Sequence, residues 1–309
     1  MFRTIIRYFL AVIGLMSGIQ AQYSTINNQG LDVYYRIFGT GQPILIIGGG
    51  PGDDSERYLS LCELLSPVCQ CILIDQRGTG KTLPATSDST TISLKLTLSD
   101  FEALRSSLGF KQWGVLGFSY GGFLASLYAD TEPNSISFLI LMSSMGLNTD
   151  SEKYFGNNIE SRLTAYDWEL IRFWSDSTRR SQNPHHAQVE CIRAMMPGYF
   201  YDRNKSLLVS QTIKDSDFNL TMGDWIWKDI AKQKADLTLH PARYHGPVFI
   251  LHGRQDPLGE SIPISLADYY SSSHMTIIEK CGHYAWIEQP EKILSVVREG
   301  LMNLHQSNH

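Results

Sequence analysis

A serine set among glycines, Gly117-Phe118-Ser119-Tyr120-Gly121-Gly122, is followed by a carboxylate in Arg254-Gln255-Asp256-Pro257 and a histidine in Lys280-Cys281-Gly282-His283. These three side-chain types can act as one unit. The histidine accepts the proton of the serine hydroxyl, the carboxylate holds and stabilises the imidazolium, and the freed oxygen attacks a carbonyl carbon. A Gly-x-Ser-x-Gly pattern arises by chance in ~0.1–0.2 of chains of this length at average composition, so it does not carry the assignment alone. The order Ser, Asp, His adds what the pattern lacks, because it is the order of hydrolases whose nucleophile sits on a strand-to-helix turn. The expected catalytic residues are therefore Ser119, Asp256 and His283. His252 is a rival base, but it precedes Asp256. Cys281, two residues before His283, is set aside because Ser119 already supplies a nucleophile.

Such a serine needs a strand before it and a helix after it. Lys111-Gln112-Trp113-Gly114-Val115-Leu116 can be a short buried strand, and residues 123–129 have the apolar content of a helix packed on a sheet. Glycines on both sides of Ser119 leave no side chains to collide where backbone segments crowd. Upstream, residues 31–38 and 43–47 read as strands, and the second ends in Gly48-Gly49-Gly50-Pro51-Gly52. A glycine-rich bend after a strand lets backbone N–H groups face a ligand, so this loop is the candidate for half of an oxyanion hole, with the Tyr120 amide as the other half. A helix over about 54–65 and a strand over 68–75 follow. The next segment, Asp75-Gln76-Arg77-Gly78-Thr79-Gly80-Lys81-Thr82, ends like a phosphate-binding loop, but the residue five before Gly80 is Asp75, so the required spacing fails.

Ser99 reads as the cap of a helix running to Leu108, where Gly109 stops it, and residues 136–142 form another strand. Strands and helices thus alternate, which implies a mostly parallel sheet with helices on both faces, an α/β fold. The rhythm breaks between residues 146 and 245, read as an inserted helical cap with helical stretches near 159–174 and 222–234. Its Trp168, Trp174, Trp225 and Trp227 suit either a pocket roof or plain packing. Asn204-Lys205-Ser206 and Asn219-Leu220-Thr221 are glycosylation sequons, meaningful only in a eukaryotic secretory host. Strands at 246–253 and 275–279 and a helix over about 289–304 resume the core, so residues 22–145 and 246–309 form one domain around the insertion.

With 309 residues, 43% hydrophobic and 18% charged, the chain is long enough for one large α/β domain with an insert. The net charge of −5, falling to −7 without the two arginines of residues 1–21, makes nucleic acid an unsuitable partner. Those residues pair Arg3 and Arg7 with an apolar run from Tyr8 to Ile19, too short to span a bilayer but right for the core of a cleaved signal. The expectation is an exported protein, periplasmic or secreted, with no membrane span after cleavage near Ala21. Five cysteines, Cys62, Cys69, Cys71, Cys191 and Cys281, form no framework, and most read as small buried hydrophobes. No His/Cys set has metal-ligand spacing, so neither metal nor cofactor is expected.

The segments 48–52, 75–80 and 117–122 together resemble the prolyl aminopeptidase (proline iminopeptidase) group of the α/β-hydrolase superfamily, whose motifs are His-Gly-Gly-Pro-Gly, Asp-Gln-Arg-Gly-x-Gly and Gly-x-Ser-x-Gly-Gly. The resemblance covers the core, about residues 30–145 and 246–304, and not the cap. Here Gly48 stands where the family has histidine, and Tyr120 where it usually has tryptophan. The resemblance implies that Asp256 and His283 complete a triad with Ser119, that the Gly50 and Tyr120 amides form the oxyanion hole, and that an N-terminal proline or similar small residue is released from peptides. An esterase of small acyl esters and a non-catalytic binding protein on a hydrolase scaffold are the competing expectations. An aminopeptidase must also recognise a free amine, for which the cap offers Glu152, Glu160, Asp167, Glu169, Asp176 and Glu190 without singling one out.

Overall fold

The computed structural model describes residues 21–307, so the expected leader lies outside the described residues except for Ala21. Eight strands form one sheet: β1 (Ser24–Asn28), β2 (Leu31–Phe38), β3 (Pro43–Ile47), β4 (Gln70–Ile74), β5 (Trp113–Phe118), β6 (Ile136–Met142), β7 (Val248–Gly253) and β8 (Ser273–Ile278). Their spatial order is β1-β2-β4-β3-β5-β6-β7-β8. β2 pairs antiparallel with both β1 and β4, and every other pairing is parallel.

The central strands are apolar along their whole length because both faces are covered. Side chains alternate between the faces, so Leu45 and Ile47 of β3 enter one apolar cluster while Ile44 and Ile46 enter the other. The first cluster is shared with α2 (Leu94–Ser107), α3 (Tyr120–Thr131) and α10 (Ser261–Tyr269). On the opposite face lie α1 (Leu59–Leu65) and α12 (Pro290–Ser307). Between β6 and β7 the chain forms helices and 3-10 turns without a strand: α4 (Glu152–Glu160), α5 (Ala165–Ser175), α6 (Ser177–Gln182), α7 (Pro184–Met195), α8 (Arg203–Thr212) and α9 (Leu220–Gln233).

Several boundaries differ from the sequence expectation. The helix expected to start at Ser99 starts six residues earlier, because Ser93 caps it by accepting from the Leu96 amide, while the Ser99 hydroxyl accepts from Asn28 and Gln29 beside β1. The stretch near 159–174 is split, with Thr164 and Asp167 forming a capping box that begins α5. The helix expected from 54 opens instead as a 3-10 turn over Ser55–Tyr58 before α1. The last helix is preceded by a separate short one, α11 (Ala285–Glu288), because Pro290 cannot donate to the turn before it.

Candidate active site

Ser119 sits between β5 and α3 with φ 56 and ψ −122, outside the regions comfortable for a residue with a side chain. Neighbouring backbone holds it there. The Ser119 amide donates to the Met142 carbonyl at 3.1 Å, and the Ser119 carbonyl accepts from the Gly122 and Met145 amides at 2.9 Å each. A side chain at Gly121 would overlap the Ile47 and Gly48 carbonyl oxygens, so the turn closes against the end of β3 only with glycine there. Tyr120, the first residue of α3, is buried, and the Gly50 and Tyr120 amides donate to no group among the described residues. The Tyr120 amide also lies at a helix N-terminus, where the backbone dipoles favour negative charge.

Asp256 and His283 are brought together from the loops after β7 and β8. His283 Nδ1 lies 3.0 and 3.1 Å from the two Asp256 oxygens, and the two residues are only 2% and 3% exposed. Burial alone would raise the Asp256 carboxyl. The imidazoles of His283 and His252, the His283 hydrogen bond and the Leu258 amide outweigh burial and hold it at about 2. That keeps it an anion facing the base. His252 is a second neighbour, its Nδ1 3.9 Å from Asp256 Oδ2, and burial lowers its pKa below the ordinary imidazole value.

The Phe118 ring, adjacent to Ser119 in sequence, packs 4.8 Å from the His283 ring. No hydrogen bond joins His283 to the Ser119 hydroxyl among the described residues, a contact that in unliganded enzymes is commonly long and tightens with substrate. The rings of Phe155 on α4 and Tyr199 before α8 stand 6.2 and 5.7 Å from His283, so the inserted helices roof the base with aromatic surface. Of the four cap tryptophans, Trp227 on α9 approaches the site, with its ring 6.4 Å from Tyr120. A cleft of 290 Å³ beside loop 48–52 is lined by Gly52, Asp54, Gly78 and Asn219 rather than by Ser119, Asp256 and His283.

The loops around the site are fastened by residues outside the Ser, Asp and His segments. Glu288 of α11 accepts from the Gly282 amide at 2.6 Å, the Asp202 amide at 2.7 Å and the Tyr201 amide at 3.3 Å, and the His283 amide donates to the Tyr199 carbonyl at 2.7 Å. Arg162, after α4, donates to the carbonyls of Gln255 and Gly198. On the other side, Asn219 caps α9, its Nδ2 donates to Gly78 O at 2.7 Å, and its backbone amide donates to Gly52 O at 2.8 Å. Its side chain is therefore engaged, whereas Asn204, the other sequon asparagine, is exposed. In the loop after β4, Arg77 makes a buried bidentate pair with Asp100 at 2.6 and 2.9 Å, and Asp75 accepts from the Ser55 hydroxyl and the Lys81 amide.

Most of the cap acids are occupied or turned to solvent. Asp167 is tied to Arg203 and Thr164, Glu190 to Arg193, and Glu160, Glu169 and Asp176 are exposed. The side chain of Glu152 lies outside the described residues. All five cysteines are buried thiols, and burial, followed by nearby acids, pushes Cys281 well up, away from the thiolate a nucleophile needs.

Residues 42–290 match the family described as the alpha/beta hydrolase fold. An AB hydrolase superfamily protein, YclE, of Bacillus subtilis is 27% identical over 286 residues, which cover 86% of this chain and 93% of that protein. The proline iminopeptidase of Lactobacillus helveticus is 24% identical over 88% of this chain and 95% of its own. Among solved structures, the proline iminopeptidase of Mycobacterium smegmatis superposes with a TM-score of 0.63 at 18% identity, covering 93% of this chain and 100% of that one.

Proposed function

The chain belongs to the α/β-hydrolase family, and from that premise we propose that it is a serine hydrolase of the proline iminopeptidase kind, releasing an N-terminal proline or similar small residue from peptides through an acyl-enzyme. Ser119 attacks the carbonyl carbon as its proton passes to His283 Nε2. Asp256 fixes the ring by accepting from Nδ1 and stabilises the charge that develops. The negative oxygen of the tetrahedral intermediate is met by the Gly50 and Tyr120 amides, which have no other acceptor among the described residues. His283 then protonates the leaving amine, and water, deprotonated by the same imidazole, attacks the ester and frees Ser119. The observation that carries the reading is the buried Asp256–His283 pair, 3.0 Å apart, set against the ring of the residue preceding Ser119.

Substrate choice separates this reading from its rival. A protonated amine in a partly desolvated pocket needs carboxylate or carbonyl partners, and leaving it bare costs several kcal/mol. The occupation of most cap carboxylates by other partners or by solvent favours, as a second reading, an esterase that makes no demand for an amine. Prolyl-anilide, N-acetyl-prolyl-anilide and a short-chain nitrophenyl ester, compared at equal concentration, decide between them. Preference for the free-amine anilide supports the aminopeptidase, whereas turnover of the ester alone promotes the esterase. Export is part of the same proposal, resting on the two arginines and apolar run before residue 21. It is tested by the N-terminus and compartment of the protein expressed with and without that segment.

A further inference from the structure

Of the two peptide units that lead from β3 into the glycine-rich loop, the one joining Gly48 to Gly49 is held at both ends by side chains from elsewhere. The Gly48 carbonyl accepts from Gln76 Nε2 at 3.0 Å, and the Gly49 amide donates to the Tyr58 hydroxyl at 2.7 Å. Because a peptide unit is planar, pinning its oxygen and its N–H fixes its orientation and, with it, the start of the next unit, which carries the Gly50 amide. We propose that Tyr58 is a positioning residue for the oxyanion hole, holding the Gly48–Gly49 peptide so that the Gly50 amide is presented to the carbonyl oxygen over Ser119. This rests on the serine-hydrolase reading above.

Further observations converge on Tyr58. A side chain at position 48 would overlap the Tyr58 ring, so glycine at 48 and the phenol form one device. That is the position at which the resembling family carries histidine. The Tyr58 hydroxyl also donates onward to Asp53 Oδ2 at 2.8 Å, which satisfies its proton and leaves its lone pairs for the Gly49 amide. Burial and then the Asp53 carboxylate push the phenol far above its ordinary range, so it remains a donor. Asp53 in turn accepts from Arg57 Nε at 3.1 Å, and Arg57 Nη2 donates to the hydroxyl of Tyr284, the residue after His283, at 3.0 Å. The oxyanion loop and the base loop are therefore joined through Tyr58, Asp53 and Arg57. The ring, 2% exposed, packs against Phe118 and Trp286, which keeps the hydroxyl on station.

The test is Tyr58→Phe, which keeps the ring and removes only the bridging oxygen, alongside Gln76→Leu and the double variant. The readouts are steady-state kinetics, the second-order rate of fluorophosphonate labelling, and the fraction folded at the assay temperature. Tyr58→Phe is expected to lower both kcat and the labelling rate about 10- to 100-fold with KM changed by less than about threefold, the pattern of a misplaced transition-state donor. Gln76→Leu acts on the same peptide, so the double variant should fall well short of the product of the single losses. A labelling rate within about twofold of the unaltered protein, or a loss that merely follows the unfolded fraction, overturns the positioning role. No labelling of the unaltered protein would overturn the serine-hydrolase reading itself and this role with it.

Discussion

The loop that carries His283 and the loop that carries Gly50 are held by different chemistry. Ionised groups fasten the first: Asp256 against the imidazole, Glu288 on three backbone amides, Arg162 on the Gln255 carbonyl. The contacts made on the second are neutral, from the Tyr58 hydroxyl, the Gln76 amide and the backbone of Asn219. The difference suits the proposed mechanism: a loop carrying the base would gain from a fixed anion that stabilises imidazolium, whereas an anion beside the proposed oxyanion hole would oppose the charge that forms there. Asp53, the carboxylate that the Tyr58 hydroxyl contacts, is accordingly paired with Arg57.

The comparison breaks most sharply at Asp256. Asp256→Asn keeps the shape but removes the anion and offers a donor to Nδ1. It is expected to lower kcat by about 10³- to 10⁴-fold with KM little changed, read by steady-state kinetics.

Acid separates the loops next. Asp256 is held at about 2, below its ordinary range, so the stability it contributes is full above about pH 4 and is lost as pH falls toward 2, on the order of 2–3 kcal/mol. His252 is shifted down by burial, so as pH drops below about 6.5 the unfolded chain takes up a proton that the folded chain refuses. Both signs agree. Urea unfolding at a series of pH values should show stability falling steadily on acidification, and His252→Gln should flatten the portion nearest neutrality.

A smaller effect is expected at Glu288→Gln, which leaves backbone amides facing an NH₂ group. It should cost about 2 kcal/mol in denaturant unfolding and broaden the loss to kcat, because the Gly282 amide next to the base loses its anchor. Ser93→Ala lies outside both loops, capping α2, and serves as the control. It should cost about 1 kcal/mol of stability and leave kcat unchanged.

How legible these features are in the sequence depends on how local their cause is. Ser119, Asp256 and His283 stand out in the sequence as expected site residues, since each follows a strand segment and the elbow glycines lie within three residues of the serine. The parallel core is legible because its central strands, such as β3, β4 and β5, are short, mostly apolar runs. β1 is not, because Ser-Thr-Ile-Asn-Asn is a polar edge strand whose pairing with β2 supplies what its composition lacks. Ser99 reads as a cap because it precedes an acidic residue, yet tertiary contact with Asn28 and Gln29 uses its hydroxyl instead. Tyr58 and Glu288 are silent in sequence because their partners are backbone amides elsewhere in the fold, and a backbone amide has no residue type to signal it. Gln76 alone carried a signal, its place in the Asp-Gln-Arg-Gly run.

The central claim is that Ser119 is a nucleophile activated by His283. The most direct measurement is mass-spectrometric location of a fluorophosphonate adduct on the intact protein, compared with Ser119→Ala and His283→Ala. The expected result is one adduct, on the peptide containing Ser119, absent in Ser119→Ala and slowed by about 10³-fold or more in His283→Ala. An adduct on another residue, or undiminished labelling in Ser119→Ala, would contradict the account.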